Sequence, residues 1–268
     1  MVQWEHDIYN TPIYPVTDAA WYLHIPVGTL RFWLHGRSYS TQNRQQTCAP
    51  LIQRPDPNFP QLSFTNLVEA HVLRSIRQVH GIRLDKVRRA LDYLDQQFGL
   101  PHPLARVEFQ TDGVNLLVES VGRLVSVSEH GQLAMKAVLH HLLTRVEWND
   151  QGIATRLFPL IRLATLDTIA TVPRKIAIDP RIAFGRPIVV GTRIPTRTIA
   201  DRYEAGESPD AIAADYGCDL AQVHDALRFE LSLTHAACSR NRCRSPFLLT
   251  IVSVVKLCLR LCDRLEHR

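Results

Sequence analysis

Apolar residues recur at helical spacing near the start of the chain, where Val27, Leu30 and Leu34 lie on one face. Ahead of them Thr17 is placed to cap a short helix over Asp18 to His24, with Asp18 favourable in its first turn. Ile25-Pro26 separates the two helices and Gly36 ends the second. Two short helices across a tight break predict a helix-turn-helix. The stretch Ser38 to Pro60 is rich in Gln, Asn, Thr and Pro, which predicts a loop or wing. Two longer helices follow. Ser63 caps one whose stripe is Phe64, Leu67, Val68, Val72 and Ile76, ending before Gly81. Asp85 opens the other, with Val87, Leu91, Leu94 and Phe98 as its stripe, and Gly99 and Pro101 close it.

The middle of the chain changes period. Val107 and Phe109 alternate with polar neighbours, Asp112-Gly113 is a hairpin signal, and Leu116 to Val118 reads as the returning strand. Leu124, Val125 and Val127 suggest a third strand, and Leu133 to Val146 a helix. Residues 147–171 carry mixed signals. Further on, Ile176 to Ile178 and Pro187 to Val190 read as short strands, and Thr198 to Ala205 as a helix stopped by Gly206. Ser208-Pro209 opens a helix to Tyr216, and Gly217 permits a sharp turn. Asp219 and Gln222 form a capping box ahead of the stripe Leu220, Val223 and Leu227. This is a second helix-turn-helix. The expected class is α+β, mostly α, with two helix-turn-helix modules and a small β-hairpin or sheet insert between them. The expected domains are 1–104, an α+β insert at 105–171, the second module at 172–235, and a tail at 236–268.

Charge alters this picture mainly at the tail. Of 31 Lys/Arg and 26 Asp/Glu, the stretch from Ala236 to Arg268 holds seven and two, so the preceding chain carries 24 of each and is neutral. A neutral body argues against a large electrostatic footprint for nucleic acid, while leaving room for a small basic face. The tail also holds Cys238, Cys243, Cys258 and Cys262. Six cysteines in 268 residues are too sparse for a disulfide scaffold. The apolar run Phe247 to Cys262 is broken by Lys256 and Arg260 and is shorter than the roughly 20 residues of a membrane span. The start, Met1 to Asp7, has neither a basic n-region nor an apolar run. The expectation is a cytoplasmic protein with reduced thiols and no membrane partner.

The segment from Ile178 to Glu230 resembles the antitoxin-like family of unknown function, DUF433. Asp179-Pro180, Gly185-Arg186-Pro187 and Gly191-Thr192-Arg193-Ile194-Pro195 match its pattern, and Gly206 and Ser208 match the entry to its penultimate helix. The match runs ungapped over about fifty residues. Thr29-Leu30-Arg31-Phe32-Trp33 and Leu62-Ser63-Phe64 resemble the recognition helix and the third-helix start of a MerR-type module. Together the two halves look like the VapB-type antitoxins of type II toxin–antitoxin systems. The resemblance implies a non-enzymatic protein that neutralises a PIN-type ribonuclease toxin and represses its own operon by binding operator DNA. The tail has no counterpart in that pattern.

Candidate DNA contacts follow from the helix-turn-helix readings. Arg31 sits where a guanidinium reaches a guanine edge, Thr29 and His35 add hydrogen bonds, and Arg37 and Arg44 fall in the wing, facing phosphates. In the second module Gln222, His224 and Arg228 are left for the outer face once the stripe is assigned inward. Asp215, Asp219 and Asp225 crowd that helix pair with negative charge, which repels phosphate. The bland alternative is solvated charge around a helical scaffold for the first module, and an interaction module that has lost DNA binding for the second. For the motif residues it is a turn framework that positions helices, with a dimer or DNA contact by Arg193 as the second reading. His140 and His141 are adjacent and point to different helix faces, so no metal pair is expected. No phosphate-cradling loop, nucleophile elbow or zinc-protease motif occurs, and no cofactor is expected. Three readings stay open at this point: an antitoxin acting as a homodimer, a stand-alone MerR-like regulator, and an interaction scaffold that binds no DNA.

Overall fold

Capping residues and glycines set most of the element ends in the computed structural model, which describes residues 7–41, 44–80, 84–99, 102–125, 129–160 and 173–238. Helix α1 (Val16–Tyr22) and helix α2 (Val27–His35) are joined by Leu23 to Pro26, with His24 in a left-handed conformation at φ 50°. Pro15 and Pro26 stand at the two N-caps without side-chain bonds, so the cap expected from Thr17 is not made and α1 starts two residues earlier than its reading. Thr17 instead donates to the neighbouring Asp18 carboxylate at 3.1 Å. Gly36 ends α2 at φ 70°, where a Cβ would lie 2.1 Å from the Cys48 carbonyl oxygen.

The polar stretch after α2 is an antiparallel hairpin, β1 (Arg37–Thr41) and β2 (Arg44–Cys48), with Arg37 opposite Cys48 and Thr41 opposite Arg44. The chain then returns to α2, where Leu51 and Ile52 donate their backbone N–H groups to the Trp33 carbonyl. Helix α3 (Phe64–His80) opens with a reciprocal box. Asn66 N–H donates to Ser63 Oγ at 3.2 Å, and Ser63 N–H to Asn66 Oδ1 at 3.3 Å. Helix α4 (Leu84–Phe98) ends at Gly99, φ 59°.

The three strands expected between Val107 and Val127 are absent from the described residues: 107–125 are helical, and Val127, at the end of the expected third strand, lies outside the described residues. A wide helical turn over Phe109–Gly113 runs straight into α5 (Val114–Val125), followed by α6 (Glu129–Leu143). The deciding feature is the stripe Val114, Leu117, Val118 and Val121, buried at three- and four-residue steps against the core. Gly113 marks a close approach rather than a hairpin turn: a Cβ there would meet Phe109 Cδ2 at 2.6 Å, and Phe109 is fully buried. The β structure of the insert comes later, as the hairpin β3 (Val146–Trp148) and β4 (Ala154–Leu157). Residues 161–172 lie outside the described residues.

The last part is built from β5 (Ile176–Ala177) paired with β6 (Ile188–Val189), then α7 (Thr196–Glu204), α8 (Pro209–Tyr216) and α9 (Leu220–Cys238). The fold is α+β and mostly α, with three two-stranded antiparallel sheets among the described residues. One core joins α1 to α6 with β3, β4 and Ile178. A second lies among α7, α8 and α9, around Ile199, Ile212, Val223 and Phe229. Residues 1–233 make one compact unit and Thr234 onward another, of which only the end of α9 is described.

Candidate nucleic-acid interface and the joint behind it

Helix α2 buries Leu30, Trp33 and Leu34, which turns Arg31 and His35 outward. These two are four residues apart and share one face; Thr29 is half-buried in the first turn, to one side of them. Slight burial, and then the positive charges of Arg54 and Arg31, hold the His35 imidazole below its usual pKa. Arg54 thus belongs to the same electropositive surface, although it sits nineteen residues further along the chain in the stretch read as loop. The hairpin β1–β2 follows directly, with Arg37 at its base and Arg44 at its tip; their side chains lie outside the described residues. Helix α4 closes on the wing's exit, where Arg88 donates to the Ala49 carbonyl. Its neighbours Lys86 and Arg89 extend the basic run. Sequence reasoning misses Arg54 and Arg88 because both reach this surface only through packing. The cluster Lys86, Arg88, Arg89 on one short stretch is the available signal for the second. A helix-turn-helix of this kind lays its second helix along the major groove while a wing meets phosphates.

The second helix-turn-helix is equally regular in geometry and differently committed in chemistry. Ser208 Oγ accepts from Ala211 N–H at 3.2 Å, and Gly217 takes the left-handed turn at φ 61°. Gln222, expected to face outward, is engaged at both ends of its amide. Its Oε1 accepts from Asp219 N–H at 3.0 Å and its Nε2 donates to the Val190 carbonyl at 3.1 Å. The reason is proximity: β6 brings Val190 within reach of the first turn of α9. His224 is half-buried, and Arg228 is exposed, 3.8 Å from Asp225. Asp225 also pairs with Lys175 at 2.8 Å. Asp215 and Glu207 are both gathered by Arg202, and the Arg202 guanidinium lies over the Tyr216 ring. The acidic residues of this module are therefore largely answered from within it.

The motif residues assemble a joint between the two parts. Asp179 is fully buried and receives Arg181 at 2.8 and 2.9 Å, the Arg181 backbone N–H at 2.9 Å, and Arg156 of β4 at 3.1 and 3.3 Å. Burial alone would raise the Asp179 carboxyl; the hydrogen bonds from Arg181 and then Arg156 outweigh it and hold the pKa below the usual range. Arg156 also reaches Glu147 at 3.1 Å, tying in β3. Next to this network Leu157 and Ile178 exchange backbone hydrogen bonds at 3.0 and 2.8 Å. Pro180 and Pro187 are buried, and the Pro187 carbonyl accepts from Thr196 N–H. Gly185, φ 73°, lies so close to α1's approach that a Cβ would sit 2.2 Å from Tyr14 Oη. Gly191 takes φ 83° in the turn after β6, which Thr192 closes by donating to the Val189 carbonyl and accepting from Ile194 N–H. Pro195 stands at the N-cap of α7. Arg186 and Arg193 are both exposed to solvent. Thr196 Oγ1 donates to the buried Glu230 at 2.5 Å and locks α7 to α9.

Residues 176–229 match the family described as protein of unknown function, DUF433. Residues 12–91 match the family described as "Putative DNA-binding HTH domain". The two matches fall on the joint with the second helix-turn-helix, and on the first module with its wing and α3. A Mycobacterium tuberculosis protein named "Putative antitoxin VapB45" is 27% identical over 235 residues, covering 82% of this chain and 94% of its own. A second from that organism, "Uncharacterized protein Rv2308", is 25% identical over 225 residues, covering 81% of this chain and 89% of its own. The crystal structure of Rv2018 from Mycobacterium tuberculosis shares the fold, with a TM-score of 0.58 and 22% identity over 82% of this chain and 99% of that one. Among the described residues no group of three or more His, Cys, Asp or Glu is placed to hold a metal ion, and no helix is long and apolar enough to cross a membrane.

Proposed function

We propose that this chain is the antitoxin of a toxin–antitoxin pair, a binding protein without catalytic or cofactor chemistry. It works in the cytoplasm as a homodimer that docks on operator DNA, represses its own operon and holds a PIN-type ribonuclease silent. The observation that carries the DNA half is the outward Arg31–His35 pair on α2, with Arg54 beside it and a two-stranded wing directly after it. Arg31 reads a base edge, while Arg37 and Arg44 reach phosphates from the wing. The second module supplies little to DNA, since Gln222 is spent on Asp219 and Val190 and Arg228 stands beside Asp225. His224 and Arg193 are left as minor contributors. The partner half is supported by the relative named as an antitoxin along nearly its whole length.

Isolation of the native complex, with mass spectrometry and a ribonuclease assay before and after separating its components, tests this reading. A stoichiometric small ribonuclease that becomes active on separation is the expected result. Recovery of the chain alone at endogenous levels would overturn the antitoxin reading and favour a stand-alone regulator.

A further inference from the structure

The ladder of a two-stranded hairpin fixes its shape, while its direction relative to the body is set by whatever holds its base. The β1–β2 wing is held there at three points. Gly36 at its entry lies so close to its exit that a Cβ would sit 2.1 Å from the Cys48 carbonyl oxygen. Beyond the exit, Leu51 and Ile52 donate their N–H groups to the Trp33 carbonyl near the end of α2, at 2.7 and 3.1 Å. Between these two points the Ala49 carbonyl accepts from the Arg88 guanidinium of α4. The first two points tie the wing to the helix it follows. The third reaches it from 39 residues along the chain and from a different element. That element is fixed. Val87, Ala90 and Leu94 set α4 into the core at three- and four-residue steps, while Arg88 is half-buried at the rim and Arg89 is exposed. Arg88 is thus a strut between a packed helix and the strand that leaves the wing.

We propose that Arg88 is a positioning residue for DNA binding: it holds the wing at the angle from which Arg37 and Arg44 meet phosphates, and does not touch DNA itself. The inference rests on the DNA-binding reading given above. A wing that is already aimed needs little ordering on docking, whereas one that is aimed only part of the time weakens binding by that fraction. A hydrogen bond from a charged donor shifts such a balance by about tenfold or more, and this one, on a solvent-facing carbonyl, belongs at the lower end. The effect is on preorganisation, so the number of phosphates contacted in the complex stays the same.

The test measures binding of the full chain to the DNA upstream of its own gene, across salt. The chains are wild type, Arg88→Met, the wing variant Arg37→Ala/Arg44→Ala, and the triple variant. Methionine keeps an apolar stem and removes the guanidinium; Arg88→Gln, too short to span the same gap, is a second variant expected to behave alike, and melting curves confirm that each folds. The expected result is that Arg88→Met binds about tenfold more weakly with an unchanged slope of log affinity against log salt, and that the same change has no further effect in the wing variant. Wild-type affinity in Arg88→Met overturns the positioning role and leaves the DNA-binding reading intact. A loss that persists in the wing variant, or a slope shallower by about 0.9, shows that Arg88 acts elsewhere than through the wing and overturns it likewise. A wild-type chain without affinity for that DNA, or a wing variant that binds as wild type does, overturns the reading of the DNA-binding face itself, and the positioning role with it.

Discussion

Replacing Asp179 by Asn removes one negative charge from the joint and leaves its volume unchanged. The carboxylate is fully buried and accepts from two guanidinium groups and one backbone N–H at 2.8 to 3.3 Å. In the Asn variant the amide oxygen keeps some of these bonds, while its NH₂ group faces donors, Arg181 loses its counter-ion and Arg156 is left with Glu147 alone. Removing one partner of a fully buried pair costs about 3–5 kcal/mol. Here Arg156 and Arg181 are 31% and 50% exposed, so solvent screens the uncompensated charges and the cost falls below that scale. The expected loss is about 2 kcal/mol, the scale of charge-assisted hydrogen bonds. For a unit of this size that lowers Tm by roughly 4–8 °C. The assay is urea unfolding of wild type, Asp179→Asn, Arg156→Gln and the double variant. A coupling energy above about 0.5 kcal/mol between the two single changes is expected. If Asp179→Asn unfolds within about 0.5 kcal/mol of wild type, or the two changes simply add, the carboxylate is not what joins the parts. Acid supplies an independent reading. A carboxyl held below its ordinary pKa stabilises fully above about 3.9 and loses that contribution as pH falls through its folded value. Asp179→Asn flattens the stability profile in that window only.

Other consequences concern packing and histidine titration. Gly185→Ala places a Cβ 2.2 Å from Tyr14 Oη at φ 73°, and its cost, about 2–4 kcal/mol, is to be read by thermal melting; a neutral change would show that Tyr14 is free to move away. Gly113→Ala drives a methyl toward the buried Phe109 ring and costs about 1–3 kcal/mol, where a surface hairpin glycine would cost less. Burial, followed by Arg74, holds His24 near pKa 4 and His71 near 3, so the unfolded chain binds these protons first as pH falls below about 6.5. Stability therefore drops by up to about 1.4 kcal/mol per pH unit for each of the two histidines between about pH 6.5 and 4. His102, raised by its bond to Glu69 in spite of burial, works the other way and loses its contribution as pH rises through its folded value. Equilibrium unfolding between about pH 4 and 8 shows the net slope, and His71→Gln reduces its acid limb.

Local chemistry makes the helix ends legible. Ser63 with Asn66, Ser208 with Ala211, Gly217, and Asp219 with Gln222 act as their residue types suggest. The middle misleads because a strand signal of a few alternating residues and an Asp-Gly pair outweighs a buried helical stripe that begins only at Val114. Period-2 and period-3.6 patterns cannot be separated over so short a run. The outward face of α2 can be read from Leu30 and Leu34 alone. Arg54 and the Arg156 arm of the joint cannot, because contacts between residues far apart in the chain leave no mark on a single sequence, and Arg88 shows only as one member of the basic run Lys86, Arg88, Arg89.

On the proposed reading the first module carries the main DNA contact and the second adds little. The most direct test is the affinity of the full chain for the DNA upstream of its own gene, measured across salt for wild type, Arg31→Ala and Arg228→Ala. Arg31→Ala is expected to lose about 1–3 kcal/mol of binding and to relax base preference, the scale of one bidentate base contact. Arg228→Ala is expected to match wild type in both affinity and salt slope. The contrary pattern, with Arg228→Ala weakened and its slope shallower by about 0.9 while Arg31→Ala binds normally, would move the DNA contact to the second module.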